Sequence, residues 1–470
     1  MSEVAHPKRA LWTSQELNSL FVSTASGEAD GSGMATEDIH RVAIDSRLVE
    51  PGDLFVALAG DPGERFNPSV RSSADGHDYV ADAASKGAAA ALVSRIQSVD
   101  IPQFRVEDTY SGLWALGAAA RNRLTGPVIA VTGSSGKTTA KTFLSTALDA
   151  YAPPGSFNNH IGVPLSLANA SQDASGSVFE VGTSHPGEIA PLTQMVRPDL
   201  AMLLNVHDAH IENFPSRAAL IEEKCAIFST LPEDGMRVSH DELDLSGYRF
   251  GLRFDSHASI VALEGNTLHL NLFGEIVKAH VPGGGAHRAL TLAACLLAAK
   301  LLDADLTAAA ALPHDLVPAG RGNIRHKAGI EIVDDSYNAN PASMHAAVSA
   351  HAVEPCKGRR YAVLGDMREL GADSDDAHRQ LVNTVVNEPK LHGIVLVGEA
   401  MGEAYRRLGL DSDQTVGGER WLVHYESVTP ELLSRLVVAL FRGDRLLVKG
   451  SNRIFWHVDF VEQLIEHIKT

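Results

Sequence analysis

Hydrophobic and polar positions follow changing rhythms along the chain. From residue 108 a helical stretch, "YSGLWALGAAARNRL", gives way to short apolar runs, "VIAVTG", "SVFEVG" and "DLAMLLNV", separated by amphipathic segments. Apolar runs that alternate with helices predict βαβ units and a parallel sheet. Before them, residues 1 to 107 carry strand-like runs such as "DLFVALAG" and "AAAALVS", broken by polar, Gly/Pro-rich loops. Between residues 235 and 282 the text turns to alternation, "ASIVALEGNTLHLNLF", which predicts an antiparallel excursion at a sheet edge. An Ala/Leu-rich helical stretch over 286–311 leads into "LVPAGRGN", a Pro/Gly linker near 318. Beyond it "IEIVDDS", "RYAVLGDM", "GIVLVGEA" and "DRLLVKGS", each followed by helical text, predict a second doubly wound domain. The expected fold class is α/β in three domains. They are a small α/β N-terminal domain (1–107), a central parallel-sheet domain (108–317) and a C-terminal Rossmann-like domain (318–470).

One helix breaks the pattern. In "FPSRAALIEEKCAIFSTL", Ser216 is a good N-cap, and helical spacing puts Leu220, Ile221, Ile227 and Phe228 on one face. Lys224 falls in the middle of that stripe, although lysine is almost never fully buried unless paired. It is either a lysine snorkelling from the stripe's edge or a functional one.

Composition narrows the class. Hydrophobic residues make up 44% of 470 positions and charged ones 21%, enough for a sizeable packed core, and the composition argues against global disorder. A net charge of -18 argues against nucleic acid or an anionic membrane as partner, while leaving room for an anionic ligand in a local basic pocket. Cys225, Cys295 and Cys356 lie far apart without CxxC spacing, so no disulfide framework or structural zinc is expected and a reducing compartment fits. The opening "MSEVAHPKRALWTSQEL" lacks the apolar core of a signal peptide, and no apolar run approaches the roughly 18 residues of a membrane helix. The expectation is a cytoplasmic protein with no membrane insertion.

"VIAVTGSSGKTTAKTFLSTAL" reads as strand, Gly-rich turn and helix. Backbone N–H groups of Gly133, Ser134, Ser135 and Gly136 make an anion cradle at the helix start, and Lys137 adds a charge for terminal phosphates. The hydroxyl of Thr138 or Thr139 is placed to hold Mg²⁺. The run is the shorter GxxGKTT, since Val131 stands where the general P-loop pattern wants glycine. A second cluster follows. Glu180 ends an apolar strand, where ligand sites of α/β sheets collect, and His210 of "LLNVHDAHIENF" follows the next strand. Both suit a metal, and His207 competes with His210 on spacing alone. Taken singly, Glu180 also reads as an ion-pair carboxylate and His210 as a solvated loop residue.

"TGSSGKTT", "FNNHIGVPLSL", "EVGTSHPGEI", "NVHDAHIENF", "EEKCAIF", "GRGN", "DDSYNANPASM", "LGDMRELG" and "LVKGS" occur in the order found in the Mur ligase family, which the chain resembles over nearly its whole length. The resemblance begins at "IDSRLVEPGDLFVALAG" and "DGHDYVADAASKGA". "NNHIGVP", "SHPGEI" and "DDSYNANPASM" are most similar to the member that adds the last dipeptide to the peptidoglycan precursor. The resemblance implies UDP-MurNAc-tripeptide, D-Ala-D-Ala and ATP as substrates. In the implied reaction a carboxylate takes the γ-phosphoryl group, and the acyl phosphate is then attacked by an amine. It implies an N-terminal domain for the UDP-sugar, a central ATPase, a C-terminal domain presenting the amine, and a monomer.

The resemblance also implies roles for individual residues. One Mg²⁺ would lie on Thr138 and Glu180, and a second on His210 and a carbamylated Lys224. Asn158 and Asn159, with Ser184 and His185 of "SHPGEI", would contact the UDP-MurNAc-peptide; the asparagines also suit turns. Ser46 and Arg47 of "DSR" would meet the uridine-diphosphate end, or be surface polar residues. Arg321 of "GRGN" would reach ATP phosphates, and Asp335 the ribose hydroxyls. Tyr337, Asn338 and Asn340 would line the adjoining wall, although "NANP" is itself a good turn. Lys449 and Ser451 would hold the dipeptide carboxylate, with a surface lysine as the alternative. His287 matches the family's helix after "GxH", but Arg288 and Thr291 stand where asparagines near adenine are usual, so an altered adenine pocket is expected. His207 and Asp208 replace small residues, and "KGSNRIF" replaces a "KGSRG"-type ending. A ligase for another amine or acid, and a nucleotide-binding module without turnover, remain as competing readings.

Overall fold

The computed structural model describes residues 10–21, 37–60, 74–207, 211–409, 414–416 and 420–468. Its strands form three sheets that follow one another along the chain. The first holds four parallel strands in the order β1 (Arg41–Ala43), β2 (Asp53–Val56), β3 (Ala90–Val93) and β4 (Gln103–Arg105). β2 and β3 are buried along their whole length, as strands covered on both faces must be.

The second sheet has eight strands. β5 (Val128–Thr132) lies between β6 (Ser177–Glu180) and β7 (Leu200–Leu203), so the chain crosses from one side of β5 to the other. Such a switch point opens a crevice at the carboxyl ends of the strands. The sheet continues through β8 (Met236–His240), β9 (Tyr248–Gly251), β10 (Ala258–Glu264), β11 (Thr267–Leu272) and β12 (Glu275–His280). The antiparallel excursion expected over 235–282 is found only in its later part: β8, β9 and β10 continue the parallel run, and β11 pairs antiparallel with β10 and with the edge strand β12. Alternation reports which face is buried and carries no information on strand direction. The helix Ala286–Leu301 covers this sheet with a run of buried small and branched residues from Leu292 to Ala299.

The third sheet orders β13 (Asn323–Lys327), β14 (Ile330–Asp335), β19 (Arg445–Lys449), β15 (Arg360–Gly365), β16 (Gly393–Val397), β18 (Arg420–Tyr425) and β17 (Gln414–Val416). Its centre is parallel and both edge strands are antiparallel. Helices cover both faces over two separate apolar clusters.

The first two domains share a core. Apolar residues from Trp12 and Leu54 through Leu113 to Phe179 and Ile227 form one cluster. Trp12 donates its indole N–H to Ala168 O at 2.9 Å, beneath the guanidinium of Arg123 at 3.7 Å. The third domain follows the segment around Pro318 to Asn323.

Candidate active site

A turn that follows a fully buried strand can expose only its backbone and tip. β5 is buried at every position, and Gly133 (φ 153) and Gly136 (φ 82) take backbone conformations closed to other residues without strain. Gly136 then caps the helix Lys137–Leu148, whose first N–H groups face the crevice. The loop is held from β7's side. Asn205 O accepts from Ser134 N at 3.1 Å, Asn205 Oδ1 accepts from Ser135 N at 3.0 Å, and Ser134 Oγ donates to His207 O at 2.9 Å. Asn205 went unnoticed in the sequence because its partners lie 70 residues earlier.

Beneath the loop, Thr138 Oγ1 donates to Glu180 Oε2 at 3.1 Å, and Ser156 Oγ donates to the same oxygen at 3.1 Å. Glu180 is 1% exposed. Its other oxygen, Oε1, lies 3.1 Å from Lys141 Nζ but accepts no directed hydrogen bond, so that contact is an ion pair with lone pairs left over. Lys141, buried and donating to Pro153 O at 2.6 Å and also to Gly155 O, is a second lysine on the P-loop helix beside Glu180, and no sequence signal marked it. A buried carboxylate oxygen beside a threonine hydroxyl is a donor set suited to a hard divalent cation. Lys137 donates to Gly133 O at 2.6 Å, and its pKa is pushed down to about 8, chiefly by burial and further by Arg321, against the pull of Glu180.

Lys224 lies on the helix Arg217–Cys225, where Ser216 Oγ accepts from Ala219 N at 3.2 Å as the N-cap. Leu220 and Ile227 are fully buried beside it, and Lys224 itself is 2% exposed, so it is not snorkelling. Burial, then the charge of Lys137, pushes its pKa down to about 7, against Glu223. Neither Lys224 nor Glu180 is among the residues that line the crevice, although Thr138 and Ser156, which bond Glu180, are. His210 and Asp208 lie outside the described residues, while His207 is exposed and lines the crevice.

The crevice, about 1360 Å³, draws on all three domains. Gly60 and Tyr110 enter from the N-terminal side, and Ser134, Ser135, Gly136, Lys137, Thr138 and Thr139 form its floor. Asn158, Asn159, Ser184 and His185 form one flank. Asn159 Oδ1 accepts from Gly162 N at 2.8 Å and so serves its turn, while Asn158 O accepts from Gly182 N at 2.7 Å. Glu188 Oε2 gathers Ser184 N and His185 N at 2.7 and 3.0 Å.

His287, Arg321, Asp335, Tyr337, Asn338, Asn340, Lys449 and Ser451 form the opposite wall. Asp335 and Lys449 are register partners on β14 and β19, and Lys449 Nζ meets Asp335 Oδ2 at 2.8 Å and Asn338 O at 3.0 Å. Lys449 is 2% exposed, which removes the surface-lysine alternative. Arg321 stacks over Tyr337, 4.3 Å from Cζ to the ring centroid. His287 is pushed down to about 4 by burial, then by Arg288, and is neutral at pH 7. Ser451 Oγ is buried and has no hydrogen-bond partner among the described residues. Asn340 is committed to capping the helix Pro341–Val353, accepting from Ser343 N at 2.9 Å.

Ser46 and Arg47 are not brought into the crevice. Arg47 is exposed and paired with Asp45 at 2.7 Å, and Ser46 O accepts from Lys86 Nζ at 2.9 Å.

The chain matches the family models "Mur ligase middle domain" over residues 131–248 and "Mur ligase, glutamate ligase domain" over 320–452. It is 33% identical to a UDP-N-acetylmuramoyl-tripeptide–D-alanyl-D-alanine ligase of Escherichia coli, covering 90% of this chain and 93% of that one. Identity to the ligase of the same name from Bacillus subtilis is 32%, covering 91% and 93%. Among solved structures, a MurF of Acinetobacter baumannii superposes with a TM-score of 0.78 at 28% identity, over 97% of this chain and 99% of that one. The MurF ligase of Thermotoga maritima in complex with ADP gives 0.70 at 27%, over 91% and 98%. On the two family models and on full-length relatives at this identity, the chain belongs to the Mur ligase family, the ATP-dependent ligases that form amide bonds.

Proposed function

We propose that the chain joins D-Ala-D-Ala to UDP-MurNAc-tripeptide through an acyl phosphate. The carboxylate oxygen of the tripeptide attacks the γ-phosphorus of ATP and ADP leaves. The dipeptide amine then attacks the acyl carbon, loses a proton and expels phosphate. Both acceptor and nucleotide are anions, so the site must offset their repulsion. The observation that carries this reading is the Thr138–Glu180 pair under Lys137, facing Asp335 and Lys449 across a crevice built by three domains.

In this reading the P-loop N–H groups and Lys137 hold the phosphates, Arg321 approaches them from the far wall, and Asp335 takes the ribose. Thr138 and Glu180 hold one Mg²⁺, and His210 with a carbamate on Lys224 holds another. Bound there, Mg²⁺ supplies charge neutralisation during phosphoryl transfer. The lowered pKa of Lys224 supports the carbamate, since CO₂ adds only to a neutral amine. Asn158, Asn159, Ser184 and His185 orient the UDP-MurNAc-peptide, with Ser46 and Arg47 toward its uridine-diphosphate end, while Lys449 and Ser451 face the dipeptide. The buried, unpartnered hydroxyl of Ser451 supports that last assignment. Divisions near residues 107 and 317 belong to the same reading, as do a monomer and a cytoplasmic reaction; three free cysteines suit a reducing compartment.

The test is phosphate release from purified protein with ATP, Mg²⁺ and UDP-MurNAc-tripeptide, with and without D-Ala-D-Ala and against a panel of other amines. Release that requires the dipeptide is expected. Release with another amine alone would assign a different acceptor, and none with any amine would overturn ligase activity.

A further inference from the structure

Arg288 is a buried guanidinium at the start of the helix Ala286–Leu301, 8% exposed. Nη1 donates to Gly283 O at 2.8 Å and Gly284 O at 3.1 Å, and Nη2 donates to Arg321 O at 2.8 Å. The last bond joins the central domain's helix to the segment that leads into the C-terminal sheet. The space is made by glycine: a Cβ on Gly322 would fall 2.2 Å from Nη2, and one on Gly283 3.3 Å from Cζ. Downstream, the same segment is tied to the C-terminal domain, because Gly322 N donates to Asp334 O at 2.6 Å and Tyr337 N to Gly320 O at 2.9 Å. Arg288 lines the crevice, but its three hydrogen bonds are all spent on backbone carbonyls.

We infer that Arg288 is a positioning residue: it pins the interdomain segment at the carbonyl of Arg321, and so sets the Arg321 side chain over Tyr337 and next to Lys137 at the phosphate site. Arg321 N also donates to Pro318 O at 3.2 Å, so its backbone is fixed on both sides of the Cα and its side chain has little freedom in where it starts. Gly320 (φ 68) and Gly322 (φ 84) flank Arg321, so without Arg288 the backbone that carries it is free to turn on either side. The inference rests on the assignment of Arg321 to the ATP phosphates, but it is read from nucleotide binding alone and stands apart from whichever acceptor the chain uses.

The experiment is calorimetric binding of Mg-ATP and of AMP to the full chain, in a double-mutant cycle of Arg288→Met with Arg321→Ala. ATP affinity is expected to fall about tenfold in Arg288→Met, AMP affinity to stay within twofold, and the ATP loss to shrink below twofold once Arg321 is already alanine, as residues acting through one another do. Equal losses for ATP and AMP, equal losses in both backgrounds, or no loss of ATP affinity would each overturn it. If Arg288→Met does not fold, Gly322→Ala displaces the same guanidinium while keeping its charge, and the same cycle with Arg321→Ala decides. Failure of acceptor-dependent phosphate release in the unaltered chain, with this cycle intact, would count against the substrate reading and leave the pin in place.

Discussion

An ammonium kept dry costs several kcal/mol unless it is paired or loses its proton. Lys224 moves toward the second course: with Leu220 and Ile227 buried beside it and Lys137 as a neighbouring cation, its pKa falls to about 7, so that a substantial share of the amine is neutral at pH 7. Neutral amine is what carbamylation consumes, so the sign of the pH dependence follows. Carbamate occupancy falls as pH drops below about 7 and rises above it, which ¹³C NMR with labelled bicarbonate at pH 6 and pH 8.5 would read. Signal of equal strength at both, or none, would overturn the carbamate. Lys224→Ala should lower kcat on the order of 10²–10³-fold, the range for loss of one preorganised electrostatic group. Bicarbonate should not restore it, whereas a short carboxylate in trans should do so in part. Near-normal turnover would return Lys224 to a packing role. Lys224 was legible because a charge in an apolar stripe is a local anomaly. Lys141 and Asn205 were not, because each is defined by carbonyls or amides contributed from other segments, and Arg288 stood out only as a departure near adenine, since its bond to Arg321 O spans 33 residues.

Elements here are held at their ends as much as along their faces. The helix Ile189–Val196 carries no capping side chain on its own N-cap residue, Glu188. Glu223, next to Lys224, supplies the acceptors instead: Oε2 takes Gly187 N at 2.7 Å and Oε1 takes Ile189 N at 2.8 Å. One carboxylate therefore joins the Lys224 helix to the loop bearing Ser184 and His185. Glu223→Ala should cost about 1–2 kcal/mol, as loss of a helix cap does. It should also raise KM for the UDP-substrate several-fold through the loosened loop. Thermal melts and substrate titrations check both, and unchanged values would mean the loop is held without it. The strand sequence itself was well announced by apolar runs, including β5, β6 and β7 around the phosphate loop. Strand direction was not: β9 pairs in parallel with both β8 and β10 across short connections, where parallel pairs ordinarily need a crossover.

At the scale of the whole molecule, the division of the core says which parts move together. Asn169, at the end of the helix Gly162–Ala168, joins that helix to β1 by accepting from Val42 N at 2.8 Å and donating to Val42 O at 2.9 Å, beside the apolar cluster that both domains share. The C-terminal clusters are separate from it, and the segment around Arg321 is the covalent connection. Two calorimetric unfolding transitions are therefore expected, one for the N-terminal and central domains together and one for the C-terminal domain. With ATP assigned to the P-loop in the proposed reading, the nucleotide at 100 times its Kd should stabilise the first by about 2.7 kcal/mol and raise its midpoint. Asn169→Ala removes both bonds across the joint and should destabilise that same transition by about 1–3 kcal/mol, leaving the C-terminal one in place. A single transition shifted as a whole by Asn169→Ala would show instead that contacts across the crevice bind all three domains into one cooperative unit. In that case closure over ATP would have to proceed by small shifts in a packed interface, since no independently folded body would be free to swing about Arg321.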